Sequence, residues 1–338
     1  MGNAARFINT GQAIVDVVLR IDALPEPGGD IFASGYQMSP GGDFNVMAAA
    51  AREGARVVYA GSIGSGHFGS LVREALLAEN VEVLHAPVAE LDTGFCVALV
   101  DSTAERTFIS TVGAEGEVEV SQYEAAGATP HDVVYVSGYS LVHPRNRAAL
   151  CSWLPRIDSL VIVDPSPVIA DVDEGAFRAV LRRADVWTTN AREARIVAER
   201  LGVADCLPES FARGEELSEA AEKLAKAFGC TVILRSGSLG VGLGISNGSI
   251  FVPPLKVEAV DSNGAGDAHT GVLAANLAAG RTLGVAAARA GIAAAMAVTK
   301  EGPATSPNSE ETSRAYRDWA AGFPNAEQIE AFDLPSAS

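Results

Sequence analysis

The sequence predicts an α/β fold in which a doubly wound, mostly parallel sheet carries helices on both faces and a small β-sheet lid is added. Apolar runs of strand length recur along the chain, and segments with helical patterning separate them. Two further regions contain strand-like runs with no helix between them. Alternating strands and helices are typical of βαβ units, whereas neighbouring strands without helices are typical of a separate antiparallel sheet.

The main sheet is predicted from continuous apolar runs such as RVVYAG and SLVIVDP, which are typical of strands buried on both faces. These runs lie at residues 56–61, 131–138, 159–165, 184–190 and 230–237. Helical patterns lie at residues 45–53, 68–79, 145–154, 191–201 and 217–228. Because parallel strands need long crossover connections, this order predicts one sheet covered by helices on both faces.

The lid is predicted from residues 11–39 and about 88–112, which contain DVVLRI, DIFASG, GFCVALVD and RTFISTV. We expect residues 1–338 to form a single domain in which these segments make a small, largely antiparallel sheet. The edges of an exposed sheet must be covered, so a homodimer formed through two lids is one expectation. The last dozen residues, which end in LPSAS, are expected to be poorly ordered.

Composition excludes several classes of partner. The formal charge of −17 and the lack of a long Lys or Arg run argue against binding to nucleic acid or to an anionic membrane. The four cysteines show no C-x-x-C spacing, which indicates reduced thiols in a cytoplasm. The longest apolar stretch, residues 290–298, is too short to span a bilayer and is mostly alanine, which indicates a closely packed helix.

The stretch DSNGAGDAHTG at residues 261–271 places Asp261 and Asp267 six residues apart, with small residues between them and an Ala-rich helical segment behind. Glycines let a ligand approach main-chain amides, and a following helix directs its free N–H groups at that ligand. The stretch therefore predicts an anion cradle that contains a carboxylate.

Two segments in the first fifty residues each allow two interpretations. Gly41 and Gly42, with Asn45 behind them, could present amides to hydroxyl groups, or could form an ordinary strand-to-helix connection capped by Asn. Asp16, at the end of an apolar strand, could bind a ligand or be a solvated loop acid.

Two later segments also allow two interpretations each. Asn190 and Glu193 lie at i and i+3 where a strand gives way to a helix, a pattern that fits a hydrated cation site or a helix cap. LRSGSLG, at residues 234–240, could be a hairpin or a nucleotide-contacting loop.

A rival hypothesis comes from GSGHFG at residues 64–69, which satisfies the G-x-G-x-x-G dinucleotide fingerprint and would indicate a nicotinamide-dependent oxidoreductase. That fingerprint also requires an acidic residue at the end of the next strand, about twenty residues later. The segment VEVLHAPV supplies His85 and Pro87 instead, which argues against the oxidoreductase.

Taken together, these motifs resemble the ribokinase-like, or PfkB-type, family of ATP-dependent carbohydrate and nucleoside kinases over nearly the whole chain. DSNGAGD is similar to the family signature D-T-x-G-A-G-D, with Ser262 in place of Thr. Residues 40–69 look like its Gly-Gly signature, N-x-x-E is present at residues 190–193, and AVTKEGPATSP resembles its closing segment.

The resemblance implies a role for each motif. Asp267 would be the general base that faces the acceptor hydroxyl, and the amides of Gly264, Ala265 and Gly266 would stabilise charge on the transferring phosphoryl group. The residues implied to hold acceptor hydroxyls are Asp16, Gly41, Gly42 and Asn45. Those implied to organise ATP and Mg²⁺, with the metal held through water by Glu193, are Asn190, Glu193, Arg235, Gly237 and Gly240. Asp261 and residues 302–306 would hold a monovalent cation such as K⁺.

The chain departs from the family pattern beside the implied acceptor pocket. The family spacing makes Gly42 an extra glycine, His67 stands where Asp is common, and Ala268-His269 replaces Thr-Phe. His269 could touch the acceptor or pack on its helix. These changes leave the identity of the acceptor open.

We therefore expect an ATP-dependent kinase that acts on a hydroxyl of a sugar or sugar-like compound. A nucleoside kinase of the same fold stays open, with Phe44 or His269 stacking on a base. A non-catalytic sugar-binding regulator is a further alternative, although Asp267 beside a full glycine cradle argues against it.

Overall fold

The computed structural model describes residues 5–103 and 105–335. Its strands, in chain order, are β1 (Arg6–Asn9), β2 (Ala13–Arg20), β3 (Gly35–Gly42), β4 (Arg56–Tyr59), β5 (Glu82–Val83), β6 (Phe95–Val100), β7 (Arg106–Ser110), β8 (Val133–Ser137), β9 (Leu160–Asp164), β10 (Val186–Asn190), β11 (Thr231–Arg235), β12 (Val241–Ile245) and β13 (Gly248–Val252).

The α-helices are α1 (Phe44–Arg52), α2 (His67–Ala78), α3 (Val120–Ala125), α4 (Gly138–Val142), α5 (Pro144–Trp153), α6 (Glu174–Arg183), α7 (Ala191–Leu201), α8 (Gly214–Phe228), α9 (Ala265–Ala278), α10 (Leu283–Ala297), α11 (Ser309–Ala321) and α12 (Ala326–Ala331). All five strands and five helices predicted from the patterns are present, with ends that differ by up to three residues. None of the helices in the described ranges is long and apolar enough to cross a membrane.

The larger sheet has nine strands in the order β13-β12-β11-β10-β9-β8-β1-β4-β5. In this order, every neighbouring pair between β11 and β5 is parallel. The pairs β11–β12 and β12–β13, at one end of the sheet, are antiparallel. The predicted doubly wound parallel sheet is therefore confirmed. The chain leaves β1 toward β4 on one side and returns to β8 on the other, and ligands of such sheets bind beside this reversal, at the carboxyl ends of the strands.

Two hydrophobic clusters cover the two faces of this sheet. Neighbouring side chains of β1 point to opposite faces, so Phe7 belongs to the cluster under α1, α2, α9 and α10, and Ile8 to the cluster under α5 to α8. Burial on both faces explains why these strands are continuous apolar runs rather than alternating ones.

The smaller sheet has four strands in the order β3-β2-β6-β7. Its outer pairs are antiparallel and its central pair, β2 with β6, is parallel. The predicted separate sheet is thus confirmed, with one strand pair parallel. The prediction of a strand at DIFASG, residues 30–35, was wrong, since β3 begins only at Gly35. Asp16 lies within β2, opposite Ser39 and Cys96, rather than at the end of a strand as its apolar run suggested.

The expectation of a poorly ordered C-terminus was wrong for the described residues up to 335. Helix α12 packs Ile329 into the core at 1% exposure. Hydrogen bonds also tie this segment to the start of α10, from Thr282 Oγ1 to the carbonyl of Glu330 and from the N–H of Gly284 to the carbonyl of Phe332. The segment is mostly polar, and its one buried isoleucine gives no clear signal in the sequence, which explains the error.

Candidate active site

The carboxyl ends of the parallel strands bring together polar residues that are far apart in sequence. Ser137 at the end of β8 pairs in register with Asp164 at the end of β9, and Asn190 at the end of β10 pairs with Arg235 at the end of β11. The N-terminus of α9, with Asp267 in its first turn, lies against the same edge, where Arg235 contacts it.

The predicted anion cradle is formed by the turn that begins α9. Gly264 is the N-cap, with φ of +74°, and a Cβ at this position would lie 2.0 Å from the carbonyl oxygen of Pro303. Only glycine fits there without strain, since the conformation is left-handed and the space is filled. The N–H groups of Gly266 and Asp267 have no preceding helical carbonyl to bond and can face an anion, while that of Ala265 makes one long hydrogen bond, 3.4 Å, to the carbonyl of Ser262.

Asp267 is partly buried and is hydrogen-bonded to the N-terminal signature. The side-chain Nδ2 of Asn45 donates a hydrogen bond to Oδ2 of Asp267 at 3.1 Å. Burial raises the pKa of Asp267 to about 6, and the charge of Asp164 adds to the rise, while Asn45 and Arg235 oppose it. The helix dipole alone would favour the ionised form, so burial is the stronger effect here, and the carboxyl is still mostly ionised at neutral pH.

Asp16 reaches the same space from the smaller sheet. Burial, followed by the charge of Asp267, raises the pKa of Asp16 to about 6. A Cβ at Gly41 would lie 2.1 Å from Oδ2 of Asp16, so the glycine makes room for the carboxylate. Within the described residues no group donates a hydrogen bond to Asp16, which leaves both oxygens able to accept one from a ligand.

The other two residues of the N-terminal signature have distinct positions. Gly42 has φ of +60°, and a Cβ there would lie 2.5 Å from the carbonyl oxygen of Gln12. Asn45 lies in the first turn of α1, and its Oδ1 is buried without a hydrogen-bond partner among the described residues. A buried amide oxygen without a partner is costly, so it is suited to accept a hydrogen bond from a ligand hydroxyl.

Asn190 and Glu193 form the capping box of α7. Asn190 Oδ1 accepts from the N–H of Glu193 at 2.9 Å, and Glu193 Oε2 accepts from the N–H of Asn190 at 3.0 Å. Glu193 Oε1 accepts from Asn190 Nδ2 at 2.7 Å. The capping interpretation therefore describes the local structure.

Arg235 points back into the protein instead of toward solvent. Its guanidinium donates to Oδ2 of Asp164 at 2.9 Å, to the carbonyl of Gly266 at 3.1 Å and to Oγ1 of Thr270 at 3.3 Å. It therefore holds the first turns of α9 against the strand ends. Asp164 was not among the predicted site residues, although an acid that ends an apolar strand was a signal that could have found it.

The segment LRSGSLG turns between β11 and β12, so it is a hairpin. Gly237 and Gly240 have φ of +47° and +101°. A Cβ at Gly237 would meet nothing within 4 Å, while one at Gly240 would lie 2.6 Å from the carbonyl of Val252. The backbone at Gly237 is thus open to a ligand, and Gly240 is needed for close packing.

Asp261 links the anion cradle to the closing segment. Its Oδ1 accepts from the N–H of Asn263 and from Nη2 of Arg106, both at 2.9 Å, and its Oδ2 accepts from the N–H of Gly302 at 3.2 Å. Burial would raise the pKa of Asp261, but the hydrogen bonds and the charge of Arg106 lower it. Further along the closing segment, Oγ of Ser306 is buried without a hydrogen-bond partner among the described residues.

A second buried carboxyl, Asp43, was missed by sequence reasoning. Its Oδ2 accepts from the N–H of Gln12 at 3.1 Å, and a Cβ at Gly11 would lie 1.2 Å from that oxygen. Burial, then the charge of Asp267, raises the pKa of Asp43 well above its usual value. This carboxyl lies close to the site, and the signal for it would have been Gly11, which is needed to admit it.

The GSGHFG segment does not offer a dinucleotide site. Asp92 accepts hydrogen bonds from the N–H groups of Phe68 and Gly69, at 3.1 and 2.8 Å, and so occupies the N-terminus of α2. A Cβ at Gly66 would lie 2.3 Å from the Asp92 carboxylate. The glycines thus admit a capping acid, and a pyrophosphate has no free helix end there. His67 is the first residue of α2.

His269 lies inside the protein at 2% exposure, and both of its ring nitrogens are without a partner among the described residues. Burial lowers the pKa of His269 well below its usual value, so the imidazole is neutral. Of the two roles considered for this residue, packing on its helix fits this position.

Comparisons with known proteins agree with the family resemblance that the order of the motifs indicates. The model of the pfkB family carbohydrate kinases matches residues 6–311. The chain is 28% identical over 310 residues to the uncharacterized sugar kinase YegV of Escherichia coli, a match that covers 91% of this chain and 93% of that protein.

Two solved structures share the fold. Arabidopsis thaliana ribokinase complexed with ribose and ATP superposes with a TM-score of 0.73 at 21% identity, covering 93% of this chain and 99% of that one. A putative ribokinase II from Escherichia coli in complex with ATP and Mg²⁺ has a TM-score of 0.73 at 20% identity, with the same coverage. These likenesses show a ribokinase-like fold.

Proposed function

The chain belongs to the pfkB family of carbohydrate kinases, and we propose that it transfers the γ-phosphoryl group of ATP to a hydroxyl of a sugar or sugar-like acceptor. The observation that carries this proposal is the position of Asp267, which lies in the first turn of α9 and is hydrogen-bonded to Asn45 of the N-terminal signature. The relatives solved with ribose and ATP, and with ATP and Mg²⁺, support the substrate class and the cofactors.

Asp267 acts as the general base. A carboxylate whose pKa is about 6 is ionised at neutral pH and is a stronger base than an exposed aspartate. It takes the proton of the acceptor hydroxyl while that oxygen bonds to the γ-phosphorus and the bond from phosphorus to the β,γ-bridging oxygen of ATP breaks. The products are ADP and a phosphorylated acceptor.

The cradle of Gly264, Ala265 and Gly266 stabilises the transition state. Phosphoryl transfer spreads negative charge over the equatorial oxygens, and amides fixed at a helix N-terminus can meet that charge without reorganising. Arg235, which is itself held by Asp164, donates to the carbonyl of Gly266 and so fixes the direction of this first turn.

The nucleotide side is formed by Asn190, Glu193 and the turn at Gly237 and Gly240. Mg²⁺ supplies positive charge to the phosphate oxygens when it is bound. Both carboxylate oxygens of Glu193 already accept hydrogen bonds from Asn190, which suits contact with the hydrated ion through water. A monovalent cation such as K⁺ would be held by Asp261 and Ser306.

The acceptor is held between Asp16, Gly41, Gly42 and Asn45. The two free oxygens of Asp16 suit adjacent hydroxyls, which favours a polyhydroxylated compound. Phe44 is 5% exposed and His269 is 2% exposed, so neither offers a ring face on which a base could stack. A sugar is therefore favoured over a nucleoside.

The smaller sheet, residues 13–20, 35–42, 95–100 and 106–110, serves as a lid over this acceptor and excludes water, which would compete as an acceptor. Its surface carries exposed apolar side chains, with Tyr36 at 75% and Phe108 at 60% exposure, and the connection between β2 and β3 adds Phe32 at 95%. An exposed apolar patch of this kind indicates an interaction surface. A second lid is the occupant we propose, in a homodimer.

The experiment that tests the proposed function is ADP release from MgATP with a panel of pentoses, hexoses, sugar analogues and nucleosides, for wild type and Asp267→Asn. We expect a sugar or sugar-like compound to stimulate wild type by at least about 100-fold more than the variant. A nucleoside as the best acceptor would overturn the assignment of the acceptor. ATP binding without acceptor-stimulated ADP release would favour a sugar-binding regulator.

A further inference from the structure

One ion pair joins the lid to the signature that forms the anion cradle. Arg106, the first residue of lid strand β7, donates from Nη2 to Oδ1 of Asp261 at 2.9 Å. The side chain of Arg106 is 34% exposed and that of Asp261 is 14% exposed, so the pair is only partly open to water. The two residues are 155 positions apart in sequence.

Asp261 fixes the shape of the cradle. The N–H groups of Val260 and Asp261 donate to the carbonyl of Val298, and Asp261 Oδ2 accepts from the N–H of Gly302. Immediately beyond, Gly264 packs against Pro303. The carboxylate thus lies between the irregular segment that leads into the cradle and the closing segment behind it.

A partly buried carboxylate needs a countercharge, because removing one partner of such a pair leaves an uncompensated charge with a large desolvation penalty. Within the described residues, the cation that pairs with Asp261 is Arg106, which belongs to the lid. Any movement of the lid away from the site would separate this countercharge from Asp261.

We propose that Arg106 is a positioning residue that supplies the countercharge of Asp261 when the lid is closed, and that it replaces most of the need for a monovalent cation at this carboxylate. This inference rests on the proposed kinase function. On this proposal, the anion cradle takes its ordered conformation when the lid closes. The amides of Gly264, Ala265 and Gly266 are then in position for phosphoryl transfer once an acceptor is enclosed.

A second lid-to-body pair provides a matched control. Arg20 of β2 donates to Glu301 at 3.2 Å, but the two side chains are 60% and 76% exposed. Such an exposed pair contributes little. Arg20→Gln removes one lid cation near the same closing segment without changing the countercharge of Asp261.

The test compares wild type, Arg106→Gln, Arg106→Lys and Arg20→Gln in KCl and in tetramethylammonium chloride at equal ionic strength. The first readout is the Tm without substrates, which does not depend on activity. We expect KCl to raise the Tm of Arg106→Gln by about 2 °C or more relative to tetramethylammonium, since a cation then binds the exposed carboxylate site. Wild type and Arg20→Gln should shift by less than half as much.

The second readout is turnover with the best acceptor. KCl should stimulate Arg106→Gln by about tenfold, equivalent to about 1.4 kcal/mol, and wild type by less than about twofold. Arg106→Lys keeps one positive charge and should respond to KCl as wild type does. It is the variant to compare with wild type if Arg106→Gln does not fold. Equal responses to KCl in wild type and Arg106→Gln, in either readout, would overturn the inference. If wild type phosphorylates nothing, the proposed function fails while the Tm comparison still tests the role of Arg106.

Discussion

Asn45 donates a hydrogen bond from its side-chain amide to Oδ2 of Asp267 at 3.1 Å, although the two residues are 222 positions apart in sequence. The bond joins the first turn of α1, which carries the N-terminal signature, to the first turn of α9, which carries the C-terminal one. The two signatures therefore meet at one site, and the proposed base is oriented by Asn45, which we also propose to face the acceptor compound.

Replacement of the proposed base should separate binding from turnover. Asp267→Asn keeps size and hydrogen-bonding capacity but cannot take a proton, so kcat should fall by about 10² to 10⁴, or roughly 3 to 5 kcal/mol of barrier. Steady-state phosphorylation and calorimetric ATP binding on one preparation are the measurements. Retention of more than about a third of wild-type kcat would contradict the general-base role.

Removal of Asp16 should weaken use of the acceptor. Asp16→Ala removes two charge-assisted hydrogen bonds, each worth roughly 1.5 to 3 kcal/mol, so KM for the best acceptor should rise strongly while ATP binding is kept. Asp22→Ala, which removes an exposed acid that follows β2, is the matched control and should behave as wild type. Unchanged KM and kcat in Asp16→Ala would make Asp16 a structural acid only.

The dependence of activity on pH should show an acidic limb near pH 6. Burial raises the pKa of both Asp267 and Asp16 to about 6, and both must be ionised to accept hydrogen bonds or protons from the acceptor. Activity should therefore be full above this range and fall as the pH drops through 6. A profile of kcat/KM against pH checks this, and a limb near pH 4, the value of an exposed aspartate, would contradict it.

The free energy of unfolding should depend on pH in the opposite direction to activity, as far as Asp267 contributes to it. Because the folded pKa of Asp267 lies above its unfolded value, its protonated form favours folding, and that contribution is lost as pH rises from about 4 to about 6. Asp267→Asn should therefore be more stable than wild type at pH 8, by on the order of 2 kcal/mol, and similar to it at pH 4. Urea unfolding at both pH values is the measurement. A variant less stable than wild type at pH 8 would show that the ionised carboxylate stabilises the fold.

The exposed apolar surface of the lid should drive dimerisation. We expect light scattering to show a dimer at micromolar concentration, and Phe108→Asp to make it a monomer, because a charge placed in an apolar interface is not compensated. Leu77→Asp is the matched control, since Leu77 is 54% exposed on α2, outside the lid. Wild type measured as a monomer would remove the dimer proposal.

The elements of the fold that could be predicted are those with local signals. Five strands and five helices follow from apolar runs and helical periodicity, which depend on neighbouring residues. The strand β1 was missed, since RFIN is only four residues long and has no turn signal before it. The choice between a cap and a cation site at Asn190 and Glu193 could not be made, because one spacing serves both purposes.

The sequence by itself determined the fold class and the C-terminal signature. Its glycine spacing predicted a helix N-terminus with free amides and a carboxylate, since backbone freedom and helix geometry are local properties. It could not determine that Asp43 is buried behind Gly11, or that Arg106 neutralises Asp261. Only the tertiary structure decided those contacts and the raised pKa of Asp16 and Asp267. Burial and charge at one carboxyl are set by residues that lie far apart in the chain and meet only after it has folded.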